Sequence, residues 1–276
     1  MTLIDDHGIT EGGIPYRRVG RGSHAVVVID GLNLDNGLAS SFMARWLRLP
    51  RDEYTIWIVG RRCGMLPGYR LSDMAKDAAG FIRDHLEVPV DVIGGSIAMV
   101  LAADHGALVR RLVLHSAAHQ LSDYGREVQW RAAELAQQER WGDVYRVLLE
   151  CLLPRHRAVK LLRAPQVRVG SKLAGWIEHT HHASDFVITV EAEDRLRFRE
   201  RLGEIAVPTL VIAGRADPLY SEDLFRETAR GIPDAHLRLY PRLGHPALGR
   251  DVRRDLRAFL DSPAATALTD ASSYAS

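Results

Sequence analysis

The residues best suited to chemistry lie in one short segment. The apolar run Val88–Ile93 leads into Gly94-Gly95-Ser96-Ile97-Ala98, and a helical pattern follows. Small residues two positions either side of a serine allow a strand to turn sharply into a helix and expose the hydroxyl. The helix N-terminus would also supply N–H groups for a developing oxyanion. The segment predicts a nucleophilic Ser96 on a strained turn. The alternative is a glycine-rich turn with a bystander serine or a phosphate loop, but G-x-G-x-x-G and G-K-S/T patterns are absent.

Two more polar residues follow predicted strands further along the chain. The strand Pro208–Ala213 precedes Asp217, and the strand His236–Tyr240 precedes His245. Because the carboxyl ends of parallel strands meet at one sheet edge, both residues are expected near Ser96. A neutral His245 could take the Ser96 proton as general base, while Asp217 fixes the imidazole tautomer. The chain order Ser, Asp, His is the order expected for a serine on such a turn.

The elements that must position these residues are predicted from periodicity. Strands alternate with helices, which predicts an α/β fold with a mostly parallel, doubly wound sheet. A β-hairpin around Gly12-Gly13 is predicted to precede the series. The predicted elements are the hairpin strands Gly8–Glu11 and Ile14–Val19; the strands Ala25–Ile29, Tyr54–Val59, Val88–Ile93 and Arg111–Leu114; the helix Leu71–Leu86; and, after the last two strands, the helices Ser221–Arg230 and Arg250–Leu260.

The alternation of strands and helices stops for one long stretch. Residues 119–195 contain the amphipathic segments Gln120–Arg140 and Gly142–Leu153 and no convincing strand. We interpret this stretch as a helical cap inserted between two core parts, residues 1–118 and 196–261, and expect it to roof the site. Residues 262–276 have little to bury and are expected to form a disordered tail.

Together these motifs resemble the α/β-hydrolase superfamily over residues 8–261. The resemblance rests on Gly94–Ala98, Gly214–Pro218 and Gly244-His245, together with the strand order and the helical insertion. It implies a serine esterase or lipase-like enzyme with Ser96 as nucleophile, Asp217 as triad acid and His245 as base. It also implies an oxyanion hole formed by the backbone N–H groups of Ile97 and Leu32.

The loop after the first core strand departs from the family pattern. Asp30-Gly31 stands where His-Gly is usual, and a carboxylate there would oppose an oxyanion. We expect Asp30 to bind backbone N–H groups or an arginine, with Arg61 and Arg62 on the same sheet edge as candidates. Asn33, either arginine and His119 are possible pocket residues, although each is also explained by an ordinary structural role.

Composition excludes several other classes of protein. The 276 residues carry a formal net charge of +1, which calls for neither nucleic acid nor an acidic membrane as partner. No stretch is long and apolar enough to span a membrane, and no secretory signal is visible. The two cysteines are expected to be free thiols. These features predict a cytoplasmic location. His179, His181 and His182 lack further ligands at metal spacing, and neither a metal nor a cofactor is expected.

Three functions stay open at this level. The first is hydrolysis of a carboxylic ester, lactone or thioester. The second is C–C bond hydrolysis, perhydrolysis or cofactor-free oxygenation with the same triad, and the third is a small-molecule receptor on the same fold. Epoxide hydrolases and dehalogenases are disfavoured because their nucleophile at this position is normally Asp. The substrate and the oligomeric state do not follow from the sequence.

Overall fold

An eight-stranded sheet forms the centre of the protein. The structure, a computed structural model, describes residues 5–29, 31–32, 45–152 and 183–262. The strand order is β1-β2-β4-β3-β5-β6-β7-β8; β1 pairs with β2 and β2 with β4 in antiparallel fashion, and all other pairs are parallel. This confirms the predicted mostly parallel sheet. The strands are β1 (Asp5–Ile9), β2 (Pro15–Gly20), β3 (His24–Ile29), β4 (Tyr54–Val59), β5 (Val90–Gly94), β6 (Val109–His115), β7 (Thr209–Gly214) and β8 (Ala235–Tyr240).

Seven helices have their bounds within the described residues. They are α1 (Leu71–His85), α2 (Ser96–Asp104), α3 (Asp123–Gln137), α4 (Trp141–Leu152), α5 (Ala183–Asp194), α6 (Glu222–Gly231) and α7 (Arg250–Asp261), with 3₁₀ turns at Gly106–Leu108 and Arg199–Glu204. Within the described residues, no helix combines the length and the apolar character needed to cross a membrane.

The central strands are apolar on both faces. In β3, Val27 and Ile29 pack into the cluster that contains α1, α2 and part of α6, whereas Val26 and Val28 pack with α7. Successive side chains of a strand point to opposite faces, so a strand covered on both sides must be apolar at every position. This explains why the core strands are continuous β-branched runs.

The hairpin strand β1 starts earlier than predicted. It spans Asp5–Ile9 instead of Gly8–Glu11, and Asp5 pairs with Val19 in the register. The acidic start of the strand has no apolar alternation that would reveal it, and its partner is instead electrostatic, since Arg17 Nη2 lies 2.7 Å from Asp5 Oδ2. An edge strand of this kind is difficult to recognise from periodicity.

A buried charge cluster joins the strands near their amino ends. Asp91 on β5 is fully buried and accepts two hydrogen bonds of 2.8 Å from Arg110. His24 lies 2.6 Å from the same carboxylate, and the buried Arg111 lies 3.4 Å away. Burial alone would raise the pKa of Asp91, but the hydrogen bonds from Arg110 and His24 and the arginine charges outweigh it, and the pKa is lowered. The carboxylate is therefore held ionised inside the protein.

We expect Asp91→Asn to lower the free energy of unfolding by about 3 kcal/mol at pH 7, because it leaves buried arginine charge without its counter-charge. The lowered folded-state pKa means that this contribution is complete above 3.8, the unfolded value, and is lost as pH falls through the folded value. Urea unfolding of both proteins at pH 7 and pH 3 measures the difference. Asp251→Asn, which removes an exposed ion pair with Arg254, is the control and should change stability by less than about 0.5 kcal/mol. Equal losses in the two variants would contradict the role of the buried cluster.

Candidate active site

The turn between β5 and α2 presents Ser96 at the carboxyl edge of the sheet. A side chain at Gly94 would place its Cβ 2.8 Å from Ala98 Cβ and 3.2 Å from the Ile29 carbonyl oxygen. Only glycine fits there, which explains the small residues two positions either side of the serine. The turn itself occurs at Gly95 (φ −111°, ψ −131°), and Ser96 is already the first residue of α2.

The strain predicted at Ser96 is not found. Among the non-glycine residues that the structure describes, positive φ occurs at Arg48, Ser116 and Glu139, and Ser96 is not among them. Because glycine makes the turn at position 95, the serine can adopt ordinary helical geometry. The prediction of a strained nucleophile was wrong, while the sharp turn itself is present.

Asp217 and His245 meet in the loops after β7 and β8. His245 Nδ1 lies 2.8 Å from Asp217 Oδ2, and the aspartate side chain is fully buried. Asp217 Oδ1 accepts the backbone N–H groups of Leu219 (2.8 Å) and Tyr220 (3.2 Å), which fixes the carboxylate. Since the bond to aspartate uses Nδ1, the Nε2 atom of His245 remains for another partner.

Tyr220 packs beside the histidine of this pair. Its ring centroid lies 6.1 Å from that of His245. Tyr220 is buried, and burial raises the pKa of its phenol well above the ordinary value, although Ser96 acts in the lowering direction. The tyrosine therefore stays neutral.

Glu193 is a residue of the site that the sequence reasoning missed. Ser96 Oγ donates a hydrogen bond of 3.4 Å to Glu193 Oε1, although the two residues lie on α2 and α5. The available signal is helical spacing, because Glu193 follows the buried Phe186 and Val190 at i+7 and i+3 and so shares their apolar face. A charged residue on such a face is a candidate for a buried polar role.

Burial raises the pKa of Glu193 above its ordinary value. The hydrogen bond from Gln129 Nε2, which measures 2.8 Å, and the positive charge of Arg61 oppose this rise without cancelling it. The hydrogen bond from Ser96 and the charge of His245 act in the same lowering direction. Glu193 therefore takes up a proton at a higher pH than an exposed glutamate does.

The two predicted arginines have different surroundings. Arg61 is buried and donates from Nη1 to the Gly31 carbonyl oxygen at 2.6 Å, so it holds the loop that carries Leu32. Arg62 instead forms a bidentate pair with Asp77 on α1, at 3.0 and 2.6 Å. Asp77 thus holds the Arg62 guanidinium against α1, and a pocket role for Arg62 stays a prediction.

His119 is held by residues of α6. Its Nδ1 and its backbone N–H both bond to Thr228 Oγ1 on α6 at 3.0 Å, and its Nε2 lies 3.7 Å from Glu227. Burial lowers the pKa of His119, so it is a neutral residue packed against α6. Asp30, Asn33, His179, His181 and His182 lie outside the described residues.

The helical block α3–α5 packs over this region. Its apolar cluster includes Val128, Val144 and Phe186, and Leu32 and Leu219 from the core pack against it. The buried Asp185 of α5 accepts the backbone N–H groups of Gly64 (2.8 Å) and Met65 (2.7 Å). These bonds tie α5 to the loop after β4, which fixes the position of Glu193 on the same helix.

The end of β6 holds the loop that carries His245. Ser116 Oγ accepts the N–H of Ala247 at 2.8 Å, and His115 Nε2 donates to the Ala247 carbonyl at 2.8 Å. Ser116 has a positive φ of 53°, which turns the chain so that both side chains reach the same residue. Ala247 is two residues beyond His245, so these bonds restrain the loop of the imidazole from β6, two strands away in the sheet.

Other binding features were sought within the described residues. None of their His, Cys, Asp and Glu side chains form a group of three or more that could hold a metal ion. A surface groove of about 810 Å³ lies between the hairpin and α1, lined by residues that include Tyr16, Arg62, Asp77 and His85. Ser96, Asp217 and His245 do not line this groove, so it is separate from the site described above.

Comparison with known proteins identifies a matching family and a curated relative. The sequence profile of the family described as serine aminopeptidase S33 matches residues 69–251. A curated 2-hydroxy-6-oxononadienedioate/2-hydroxy-6-oxononatrienedioate hydrolase from Cupriavidus pinatubonensis is 34% identical over 77 residues, which is 27% of each chain. The match thus spans about a quarter of that relative.

Two solved structures show how widely the fold is shared. MGS-M2, an α/β-hydrolase enzyme from a Medee basin deep-sea metagenome library, has a TM-score of 0.73 at 16% identity, covering 90% of this chain and 92% of its own. An enol-lactonase from Burkholderia xenovorans LB400 has a TM-score of 0.67 at 20% identity, covering 92% and 96%. At such identities the similarity concerns the fold.

Ser116→Ala should reduce stability by about 1–3 kcal/mol, because it leaves the buried N–H of Ala247 without an acceptor. It should also lower kcat about tenfold or more on any substrate turned over, since displacement of His245 misaligns the base. Thermal unfolding and steady-state kinetics measure the two effects. Ser221→Ala, which removes the N-cap of α6, should cost about 1 kcal/mol with kcat unchanged. A Ser116→Ala enzyme with normal kcat would show that the restraint does not reach His245.

Stability should fall as pH is lowered from about 6.5 to about 4. Burial lowers the pKa of His115 from 6.5 to about 4, so in that window the unfolded chain binds a proton that the folded chain does not. His115→Gln should flatten this slope, whereas His7→Gln, on the exposed edge strand, should leave it unchanged. Urea midpoints between pH 4 and pH 7 measure the slopes. Identical slopes in wild type and His115→Gln would rule out this histidine as their source.

Proposed function

Because the chain belongs to the serine aminopeptidase S33 family of α/β hydrolases, we propose that it is a serine hydrolase acting through an acyl-Ser96 intermediate. The bond it cleaves is a carboxylic ester, lactone or thioester. The observation that carries the proposal is the 2.8 Å contact between His245 Nδ1 and Asp217 Oδ2, in loops at the same carboxyl edge of the sheet as Ser96. Ser96 itself donates a hydrogen bond of 3.4 Å to Glu193 Oε1.

The mechanism follows from the types of these residues. His245 Nε2 takes the proton of Ser96 Oγ as the hydroxyl attacks the carbonyl carbon, and it then protonates the leaving alcohol or thiol. The ionised Asp217 stabilises the imidazolium and keeps the proton on Nδ1. Water, deprotonated by the same histidine, hydrolyses the acyl-enzyme and regenerates Ser96.

The oxyanion would be bound by backbone N–H groups. Ile97, in the first turn of α2, contributes one, and the helix dipole favours negative charge at this end. Leu32 contributes the other, from a loop held by Arg61 through the Gly31 carbonyl. Each such donor is worth about 3 kcal/mol of barrier in comparable sites. In this proposal Arg61 acts on catalysis by positioning the loop.

The helical block α3–α5 serves in this proposal as the cap over the site. Its support is the contact between Glu193 and Ser96 and the packing of Leu32 and Leu219 against the block. Side chains of the block would then select among small-molecule substrates. A cytoplasmic location stays a prediction of the sequence.

C–C bond hydrolysis is the second candidate function. It is favoured by the similarity to the 2-hydroxy-6-oxononadienedioate hydrolase, which covers 27% of this chain. The same triad and oxyanion donors would serve this reaction, so the substrate decides between the two. Vinylogous 1,5-diketones therefore belong in the activity screen, and aminoacyl p-nitroanilides test the activity that the family description names.

A fluorophosphonate probe should label the protein at Ser96. Ser96→Ala should abolish labelling and reduce kcat by about 10³-fold or more, with a similar loss for His245→Ala and little additivity between them, because the residues act as one unit. Intact-protein and peptide mass spectrometry locate the label, and p-nitrophenyl esters and lactones report turnover. Ser221→Ala serves as the control and should react like wild type.

Two results would contradict the proposal. Equal turnover by wild type and Ser96→Ala would remove the serine as nucleophile. A protein that resists the probe and cleaves no ester, lactone or thioester, yet binds a small molecule tightly, would be a receptor on this fold.

A further inference from the structure

Two hydrogen-bonded side chains of the helical block, one of them in contact with Ser96, have no place in the triad mechanism. We propose that Gln129 and Glu193 form a recognition site for a hydroxyl group on the acyl part of the substrate, so that the enzyme prefers hydroxyacyl esters or lactones over plain alkyl ones. This inference rests on the proposed function and adds the chemical class of the substrate.

The geometry places Glu193 against the reacting atom and Gln129 behind Glu193. Glu193 Oε1 lies 3.4 Å from Ser96 Oγ, and Glu193 Oε2 accepts a 2.8 Å hydrogen bond from Gln129 Nε2. Gln129 projects from α3 and Glu193 from α5, two helices in contact. The bond between them therefore joins Gln129 to the glutamate that contacts the serine.

Gln129 carries the observation that points to a ligand. The residue is 6% exposed, and among the described residues its Oε1 atom has no hydrogen-bond partner. A buried acceptor without a donor costs about 1–3 kcal/mol. A bound hydroxyl or N–H group would remove this cost, whereas a methylene group at the same place would leave it.

A hydroxyl satisfies both members of the pair at once. The hydroxyl can donate a hydrogen bond to Gln129 Oε1. Its oxygen can accept one from the Glu193 carboxyl, which burial keeps protonated to a higher pH than usual. An anionic carboxylate group could not donate to Gln129 Oε1. The pair therefore favours a neutral hydroxyl over both a carboxylate and an alkyl chain.

The position beside Oγ assigns the hydroxyl to the acyl group. The acyl carbon is bonded to Oγ throughout the acyl-enzyme, whereas the alcohol part leaves in the first step. A hydroxyl bound at Glu193, whose Oε1 lies 3.4 Å from Oγ, would thus stay next to the acyl chain during both acylation and deacylation. Sites that hydrogen-bond a substrate hydroxyl reject the analogue without it, because their polar groups are then left unpaired.

The test compares methyl 3-hydroxybutyrate with methyl butyrate, which has the same chain length. Wild type should have a kcat/KM at least about tenfold higher for the hydroxy ester. Glu193→Leu and Gln129→Leu should each remove most of this preference while still cleaving methyl butyrate. Glu193→Gln keeps a hydrogen-bonding side chain and should retain the preference within about threefold.

Controls separate this inference from misfolding and from the proposed function. Glu191 lies on the same helix in an exposed pair with Arg195, and Glu191→Leu should keep the preference. Thermal unfolding checks that every variant is folded.

Equal kcat/KM for the two esters in wild type, or a preference that survives in both leucine variants, would overturn the inference while leaving serine hydrolysis intact. A preference for 2-hydroxyethyl butyrate over methyl 3-hydroxybutyrate would overturn it by placing the hydroxyl on the alcohol side. Absence of all esterase activity and of probe labelling would instead overturn the proposed function, and this inference with it.

Discussion

The 2.8 Å contact between His245 and Asp217 constrains much of the molecule, because it requires two loops from different strands to lie within one hydrogen bond of each other. The loops can approach only because position 214 has no side chain. A Cβ there would lie 2.2 Å from the Leu243 carbonyl oxygen and 2.7 Å from that of Gly244. The parallel pairing of β7 and β8 then brings both loops to the edge where β5 presents Ser96.

Each of the two partners is held by a separate set of bonds. The backbone N–H groups that follow Asp217 fix the carboxylate, and the end of β6 fixes the loop beyond His245 through Ala247. Both sets pair backbone groups that would otherwise be unsatisfied inside the protein, and such pairing is close to obligatory. The same bonds that complete the fold thus also aim the imidazole.

The carboxyl groups of Asp91 and Glu193 have opposite electrostatics. Asp91 is surrounded by Arg110, Arg111 and His24, which lower its pKa and make it a structural anion. Glu193 has burial as its main influence, and its pKa is raised. A carboxyl with a raised pKa in contact with a serine hydroxyl is suited to exchange hydrogen bonds with a ligand, whereas a fully paired anion is suited to stability.

The sequence by itself determined the order of strands and helices, the glycine-flanked Ser96, and the two residues Asp217 and His245 after later strands. These depend on local properties: apolar runs, small residues at a turn, and polar residues at strand ends. Only the tertiary structure decided that Arg61 holds the Gly31 loop while Arg62 pairs with Asp77, and that His119 packs on α6. The same holds for Glu193, which lies 97 positions from Ser96 in the chain. Neighbouring arginines have the same chemistry in the sequence and differ only in the direction of their side chains. A contact between α2 and α5 depends on how an inserted helical block docks on the sheet, and that docking is set by packing between distant residues, which no local pattern encodes.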